Sequence, residues 1–364
     1  MTASEPFDLT HYDPDDPDQP LGDASVTVRG LTELRASIPY LLGFYPERSL
    51  VAIGIQHDGS VLLTLRIDAP QTVEQAIGAI EQIVPVLQRG CPHRVVVAYC
   101  DDYEDSGAQA AEREQVTLSA LRCYETVREL APVLARELAA FGMSVAFVWP
   151  ERPGMPRREG GPVPAIAVAQ ILAGRRLLRN RGEVGAQLEP AGGAVRRRVR
   201  GHLRDLESVP HSRMELVAMV TDFLERRATA VENGHSPAPL EPHDAAVCAI
   251  AMRDVTTRDI LITVIAQERA WCHEDLWCRV TQVVTTQYVA PVATMAAITA
   301  YLAGDGALAR CAFDLALRHD PDYSLARMID ASLQVGLPPE QLRAILASTF
   351  DPTEEPSGWG DPDS

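Results

Sequence analysis

The sequence predicts an α/β domain with a mixed sheet, followed by an all-α domain that ends in a tetratricopeptide-like helical hairpin. Three observations predict this order. Up to residue 149, apolar runs rich in β-branched residues alternate with helical patterns, which is typical of a sheet covered by helices. A Pro- and Gly-rich stretch follows at 150–164, and beyond it only helical patterns recur. Near residue 309, small and aromatic residues take the spacing of a tetratricopeptide repeat.

Each element of the α/β domain is predicted by its own pattern. Apolar residues at helical spacing predict helices, and continuous apolar runs predict buried strands. Asp58-Gly59 lies between two such runs, where it predicts a tight antiparallel hairpin. Gly43 is expected to end the first helix. The predicted helices span 31–42, 70–88 and 112–140, the last as one helix or a broken pair, and the predicted strands span 24–30, 49–55, 61–68, 93–100 and 143–149.

Helical patterns continue through the C-terminal domain, first over 163–188 and 192–209. The most specific one lies near the end of the chain. There Ala309 and Ala316 would let a neighbouring helix approach closely, and Phe313 would fill the space between them. A single unit of this kind cannot form a solenoid. We therefore expect it to pack onto the other helices of the domain.

Charge separates the two ends of the chain from its body. Residues 1–25 contain seven acids and no base, and residues 351–364 contain five acids and no base, within a net charge of −17. Acidic segments rich in Pro and Asp favour disorder. The predicted organisation is a disordered leader at 1–24, an α/β domain at 25–150, a linker at 151–161, a helical domain at 162–348 and a disordered tail at 349–364.

Composition excludes several classes of chemistry. All 33 basic residues are Arg, so a Walker-type phosphate loop and a Schiff-base lysine are both excluded. No apolar run is long enough to span a membrane, and the N-terminus is acidic where a signal peptide would be basic. We expect a cytoplasmic protein. Cys272, His273 and Cys278 do not have the spacing of a zinc site, so no metal site is predicted there.

The candidate catalytic residues are Asp101 and Asp102, which directly follow a predicted buried strand. Open α/β sheets place ligands at such strand ends. Two carboxylates there could act as acid and base or hold Mg²⁺ through oxygen ligands. The alternative is a polar loop that caps the next helix. The sequence requires no cofactor, and Mg²⁺ is the one that this pair would suit.

The candidate ligand-binding residues are Arg48, Arg66 and Asp68. Arg66 and Asp68 lie two apart on one strand and therefore share a face, either as a ligand clamp or as a surface pair of an edge strand. Ser49 follows Arg48, but its only histidine nearby in sequence, His57, lies at the far end of the same strand. A serine hydrolase is therefore not expected. Phe44 and Tyr45 could join helix to sheet or form a pocket wall.

An arginine-rich helix is the candidate nucleic-acid surface. Apolar residues take one face of the pattern at 195–206, and arginines take the other faces. Clustered arginines favour phosphate binding, although aromatic residues that could stack on bases are missing from this stretch. The alternative is a solvated helix face that the acidic tails cover. The candidate residues are Arg196, Arg197, Arg198 and Arg200.

Six stretches of the sequence match a known family pattern. They are IPYLLGFYPERSLVAIGI (38–55), LLTLRIDAP (62–70), AVAQILAGRRLLRNRGEVGAQLEP (167–190), RDVTTRDILI (253–262), LW (276–277) and AYLAGDGALARCAFDLALRHDPDYSLARMIDASLQVGLPP (300–339). Together they resemble the actinobacterial family known as domain of unknown function 4192. The resemblance covers roughly residues 25–345 and implies a shared fold, but it implies no activity.

Three hypotheses on function follow from the sequence. The first is a non-enzymatic scaffold or regulatory protein with a protein partner or a second copy of itself, because the most specific motifs are packing motifs. The second is a metal- or nucleotide-dependent enzyme or sensor with its site at the carboxyl ends of the strands. The third is nucleic-acid binding through the helix at 195–206.

Overall fold

The computed structural model describes residues 28, 30–101, 110–150, 164, 166–167, 176–232, 239–267 and 274–348. The predicted leader 1–24, linker 151–161 and tail 349–364 lie outside these residues, as does Asp102. The predictions for them stay untested. The chain divides into two compact units, Met1–Val184 and Gly185–Ser364.

A mixed four-stranded sheet forms the centre of the first unit, as predicted. Its strands are β1 (Ser49–Ile55), β2 (Val61–Asp68), β3 (Arg94–Cys100) and β4 (Ser144–Val148), in the order β2-β1-β3-β4. Strand β1 runs antiparallel to both β2 and β3, whereas β4 runs parallel to β3. Every residue of β1 is buried, because the strand lies inside the sheet and both of its faces are covered.

Helices cover both faces of this sheet. Helix α1 packs on one face, where Ile38 meets Val51 in an apolar cluster. Helices α2 and α3 pack on the other face, where Leu87 and Leu134 join Leu50. Alternate residues of a strand point to opposite faces, so β1 contributes to both clusters. The helices of this unit are α1 (Gly30–Leu42), α2 (Val73–Gly90), α3 (Ala110–Ala139) and the short α4 (Arg181–Ala186).

Local signals placed most of these elements correctly. Gly43 has a φ of 78° directly after α1, which confirms its role in ending the helix. The hairpin closes with the Gln56 N–H donating to the Ser60 carbonyl at 2.9 Å, and Gly59 has a φ of 89° in its turn. Helix α3 is a single helix of 30 residues that continues through Pro132, so the alternative of a broken pair was wrong.

The described part of the second unit contains helices only. The helix α10 is apolar on all sides, and it is buried at every position from Tyr288 to Leu302. It packs against the helices before and after it. The helices are α5 (Gly193–Glu207), α6 (Arg213–Glu232), α7 (Pro242–Ala251), α8 (Val255–Gln267), α9 (Glu274–Val283), α10 (Thr286–Leu302), α11 (Gly306–His319), α12 (Ser324–Gln334) and α13 (Pro339–Ser348).

Helix α11 packs along α10 through small residues. Ala309 and Ala316 are fully buried, and Phe313 is buried between them, in agreement with the spacing argument. Gly304 has a φ of 83° in the turn before α11. Across the ranges that the structure describes, no helix is long and apolar enough to cross a membrane.

Candidate functional site

Three strand ends meet at one edge of the sheet. Ser49, the first residue of β1, pairs with Asp68 on β2 and with Cys100 on β3. Since β1 is antiparallel to both neighbours, its start lies beside the ends of β2 and β3. The residues just outside these pairs are Arg48 before β1 and Asp101 after β3. The sequence therefore brings its predicted ligand-binding residues to the same edge.

Arg48 holds an uncommon backbone conformation at this edge. Its φ is 41°, in the left-handed region that costs a residue with a side chain about 1–2 kcal/mol. A hydrogen bond fixes it there, because the Ala69 N–H donates to the Arg48 carbonyl at 2.7 Å. Strained residues of this kind concentrate at functional sites. The side chain of Arg48 makes no hydrogen bond or ion pair with any residue in the described ranges.

Arg66 is held by a chain of hydrogen bonds that starts at Ser49. The Ser49 hydroxyl donates to the Glu47 carbonyl at 2.7 Å and accepts from the Arg66 Nε at 2.9 Å. A second guanidinium nitrogen lies 2.7 Å from Asp68. Ser49 is fully buried, and its hydroxyl is engaged on both sides. It thus positions Arg66.

The charged side chain of Arg66 is mostly buried. Its side chain is only 14% exposed, whereas that of Asp68 is 81% exposed. Burial lowers the pKa of Arg66, Asp68 opposes that effect, and the nearby positive charge of Arg181 lowers the pKa further. Two guanidinium groups near each other in partly buried surroundings repel each other. An anion between them would remove that repulsion.

Three segments of the chain form the walls of the site, at 44–48, 66–71 and 180–182. The third segment is distant in sequence from the other two. Leu178 forms a one-residue parallel bridge with Phe44, in which its N–H donates to the Gly43 carbonyl at 2.9 Å and its carbonyl accepts from the Tyr45 N–H at 3.2 Å. This pairing is incompatible with a helix at residue 178. The helical pattern predicted over 163–188 was therefore wrong at 176–180, which is not helical.

A reciprocal cap fixes the residues that follow. The Asn180 side-chain oxygen accepts from the Glu183 N–H at 3.1 Å, and the Glu183 carboxylate accepts from the Arg179 N–H at 3.0 Å. This arrangement resembles a capping box, except that Glu183 accepts from the residue before the N-cap Asn180, and it starts the short helix α4. Gly182 fits closely beside it, since a Cβ there would lie 3.0 Å from the Asn180 side-chain oxygen. Arg181 is consequently placed beside Arg66.

These three walls enclose an open cavity of about 510 Å³. Pockets of roughly 300–1,000 Å³ hold small organic ligands in proteins. Three arginines and two carboxylates line it together with amides and aromatic rings. The lining residues are Phe44, Tyr45, Glu47, Arg48, Arg66, Asp68, Ala69, Gln71, Asn180, Arg181 and Gly182. Arg181, like Arg48, makes no ion pair within the described residues.

Sequence reasoning found part of this cavity. It named Arg48, Arg66 and Asp68, all of which line it, and it proposed Phe44 and Tyr45 as a pocket wall. It missed the wall that contains Asn180, Arg181 and Gly182. The stretch RNRGE, quoted above for its family resemblance, was the available signal. Nothing in its pattern indicated that it returns to the α/β unit.

Asp101, the described member of the predicted acid pair, follows β3 at the same edge of the sheet but does not line the cavity. Asp101 is 6% exposed, and Asp102 lies outside the described residues. The charge of Asp101 raises the pKa of Cys123, although burial of that thiol is the larger cause and Arg48 acts in the opposite direction. Among the residues that the structure describes, no group of three or more His, Cys, Asp or Glu could hold a metal ion. Cys278 is buried, and its predicted neighbours Cys272 and His273 fall in an undescribed stretch.

The arginine-rich helix α5 lies in the second unit. Val199 and Leu203 are buried, and Arg197, Arg200 and Arg204 share the opposite, exposed face at helical spacing. Arg198 is exposed beside them, and Arg196 is half-buried with its Nε lacking a hydrogen-bond partner in the described structure.

The arginines of α5 differ from those elsewhere in the second unit. Within the described ranges none of the five makes an ion pair, whereas eight of the ten other arginines there do. The eight are Arg213, Arg226, Arg227, Arg253, Arg258, Arg279, Arg310 and Arg327. Ion pairing is thus the rule in this unit, and α5 is the exception.

Comparison with known families identifies the chain. The family described as domain of unknown function (DUF4192) matches residues 32–340. The chain belongs to the DUF4192 family. All the segments that line the cavity fall within the matched range. No curated protein and no solved structure matches the chain significantly, so the function of this DUF4192 protein has to be inferred from its own residues.

Proposed function

We propose that this DUF4192 protein is a binding protein that takes a small anionic ligand in the cavity of its first unit. One observation carries the proposal: Arg48, Arg66 and Arg181 come from three separate segments and surround one cavity. Guanidinium groups bind phosphate and carboxylate groups through paired hydrogen bonds. The proposal is a narrower form of the hypothesis that a sensor site lies at the strand ends. It centres that site on Arg48 instead of Asp101.

The electrostatics support an anion as the ligand. Arg66 is paired with Asp68, but Arg48 and Arg181 direct no hydrogen bond to any described residue, so their donors are open to a ligand. The fixed backbone of Arg48 and the capped segment at 180–182 hold the backbone positions of these two exposed arginines in place before a ligand arrives. Such preorganisation raises affinity because less freedom is lost on binding.

Titration of the full chain with inorganic phosphate and pyrophosphate tests this proposal. We expect calorimetric binding, and we expect Arg48→Gln and Arg181→Gln each to weaken it by about 10- to 100-fold, since a hydrogen bond to a charged group contributes about 1.5–3 kcal/mol. The matched control is Arg128→Gln, an exposed arginine on α3 away from the cavity. Equal affinity in all three variants, or no binding of either anion, would refute the proposal.

A second candidate function rests on helix α5. Five arginines without an ion pair in the described structure, three of them on one face, support binding of a double-stranded nucleic acid through its phosphates. Single strands are less well suited, because stacking aromatic residues are missing from the helix. A gel shift with a 20-base-pair duplex should be lost in the triple variant Arg197→Gln/Arg200→Gln/Arg204→Gln. It should persist in Arg226→Gln, since Arg226 is paired with Asp222.

The scaffold hypothesis stays a proposal of its own. Its structural basis is the pair α10 and α11, which we propose to be a tetratricopeptide-like hairpin because Ala309, Phe313 and Ala316 take the spacing of the second helix of that repeat. A protein partner or a second copy of the chain would be its ligand, and a cytoplasmic location would suit it. Size-exclusion chromatography with light scattering tests the second copy directly: a monomer at all concentrations would count against it.

A further inference from the structure

The size of the cavity exceeds what an inorganic anion requires. Its volume is about 510 Å³, within the range of pockets that hold organic molecules. The arginines lie around only part of it. Tyr45, which is half-buried, adds an aromatic ring to the lining, and such rings pack well against the carbon atoms of a ligand. The remaining space therefore suits an organic group attached to the anion.

The carboxylates define the chemistry of that organic group. Glu47 and Asp68 line the same cavity as the three arginines. These carboxylates would weaken the binding of a bare anion to the arginines, whereas a ligand with hydroxyl groups could donate hydrogen bonds to them. Asp68 has one oxygen 2.7 Å from Arg66 and an otherwise exposed side chain. It can therefore accept a hydrogen bond from a ligand while it remains paired.

Two amides extend this polar wall. The side-chain oxygen of Asn180 is engaged with the Glu183 N–H, which leaves its NH₂ group as a donor. The side chain of Gln71 makes no hydrogen bond within the described residues, and an amide can both donate and accept. Alternating donors and acceptors of this kind match a chain of hydroxyl groups, each of which also donates and accepts.

We infer that the ligand is a phosphorylated sugar, whose phosphate meets Arg48 and Arg181 while its hydroxyl groups meet Asp68 and the amides. The inference rests on the proposed anion-binding function and adds the organic part of the ligand. A free sugar phosphate and a nucleoside monophosphate both contain this chemistry. Tyr45 would pack against the sugar ring in the first case and against the base in the second.

A matched pair of ligands tests the inference by calorimetry on the full chain. Ribose 5-phosphate and n-pentyl phosphate have five carbons and one phosphate each, but only the first carries hydroxyl groups. We expect ribose 5-phosphate to bind at least tenfold more tightly. Adenosine 5′-monophosphate forms the third arm, and its affinity relative to ribose 5-phosphate distinguishes a nucleotide from a free sugar phosphate.

Asp68→Ala shows whether the hydroxyl groups are recognised where we place them. This variant should lower the preference for ribose 5-phosphate over pentyl phosphate about three- to tenfold, which is the contribution of one hydrogen bond, while the amides still contact other hydroxyl groups. The control is Glu81→Ala, an exposed acid on α2, which should leave the preference unchanged.

The outcomes separate the two proposals. Equal or tighter binding of pentyl phosphate overturns the sugar-phosphate inference but leaves anion binding intact. Binding of inorganic phosphate without binding of any of the three organic phosphates does the same. If inorganic phosphate, pyrophosphate and all three organic ligands fail to bind, both proposals fall. An undiminished preference in Asp68→Ala also overturns the inference, because the hydroxyl groups would then be recognised elsewhere.

Discussion

The arginines of the cavity and the arginines of α5 have the same side-chain chemistry, but they are arranged differently on the protein surface. Arg48, Arg66 and Arg181 are far apart in sequence and meet on a concave surface, with Arg66 mostly buried. Arg197 and Arg200 are near neighbours on a convex helix face and are exposed. Proximity in sequence therefore does not mark a small-molecule site. A concave site with partly buried charge can select a ligand, whereas an exposed ridge attracts any polyanion.

Removing the apolar base of the cavity should have the largest effect. Phe44 is 2% exposed and pairs with Leu178, so Phe44→Ala should lower the free energy of unfolding by about 3–5 kcal/mol. Urea unfolding followed by circular dichroism measures this. Phe141→Ala is the matched control, because Phe141 is 58% exposed in the same unit and its loss should change stability by less than about 0.5 kcal/mol. Equal effects of both changes would show that the wall is loosely packed.

Salt should separate the two arginine groups next. If the exposed face of α5 contacts three phosphates, a fourfold rise in salt should weaken duplex binding about 40-fold, from a slope of about −0.9 per phosphate. Phosphate binding in the cavity should weaken much less, because a small ligand has no condensed layer of counterions to release and Arg66 is mostly buried. The two slopes are measured at about 50 and about 200 mM salt. Anisotropy titration with a labelled duplex gives the first, and calorimetry with phosphate gives the second. Parallel slopes would remove the distinction between the groups.

The Ser49→Ala variant tests whether Arg66 must be held by a hydrogen bond in order to bind phosphate. Ser49→Ala removes the acceptor of the Arg66 Nε, and a buried donor left unpaired costs about 1–3 kcal/mol. We expect lower stability and weaker phosphate binding together. Ser60→Ala is the control, because Ser60 lies in the exposed hairpin and bonds only Asp58 through its hydroxyl. Unchanged phosphate affinity in Ser49→Ala would mean that Arg66 needs no support.

The smallest predicted effect concerns the backbone of Arg48. Arg48→Gly should relieve the left-handed conformation and raise stability by up to about 1 kcal/mol, and it should weaken phosphate binding because the guanidinium is lost. Arg48→Ala should weaken binding equally without the gain in stability. Cys91→Gly offers a matched control, since Cys91 has a φ of 48° at the end of α2, far from any proposed contact. It should gain similar stability with binding unchanged.

If Arg48→Gly is no more stable than Arg48→Ala, the left-handed conformation costs nothing at this position. The backbone geometry would then be no sign of a functional constraint. Thermal melts of the four proteins, compared under one buffer condition, decide between these outcomes.

The sheet and half of the cavity could be predicted from sequence because local signals encode them. Asp58-Gly59 specifies the hairpin that pairs β1 with β2, and that register brings Arg66 and Asp68 beside the start of β1. Once the strands are placed, the neighbourhood of Arg48 follows from the antiparallel register alone. No assumption about function was needed.

The remaining half could not be predicted for two physical reasons. A single bridge between Phe44 and Leu178 spans more than a hundred residues of sequence and has no periodic pattern. The left-handed backbone of Arg48 likewise has no sequence signal, because such positions usually carry glycine. Asp101 illustrates a third limit. The strand-end rule selected the edge of the sheet at which the cavity lies, but it could not tell which side chains there line it.

The bridge from Leu178 to Phe44 also sets an order of events during synthesis of the chain. Domains form from the N-terminus as the ribosome adds residues, and the last strand of the sheet ends at Val148. Leu178 and Arg181 emerge only afterwards, so the sheet can be complete while the cavity still lacks its third wall. A ligand that needs all three arginines would stabilise only chains that have grown past this point. The ligand would therefore bind only after the first unit is complete, and the sheet would fold through its own contacts.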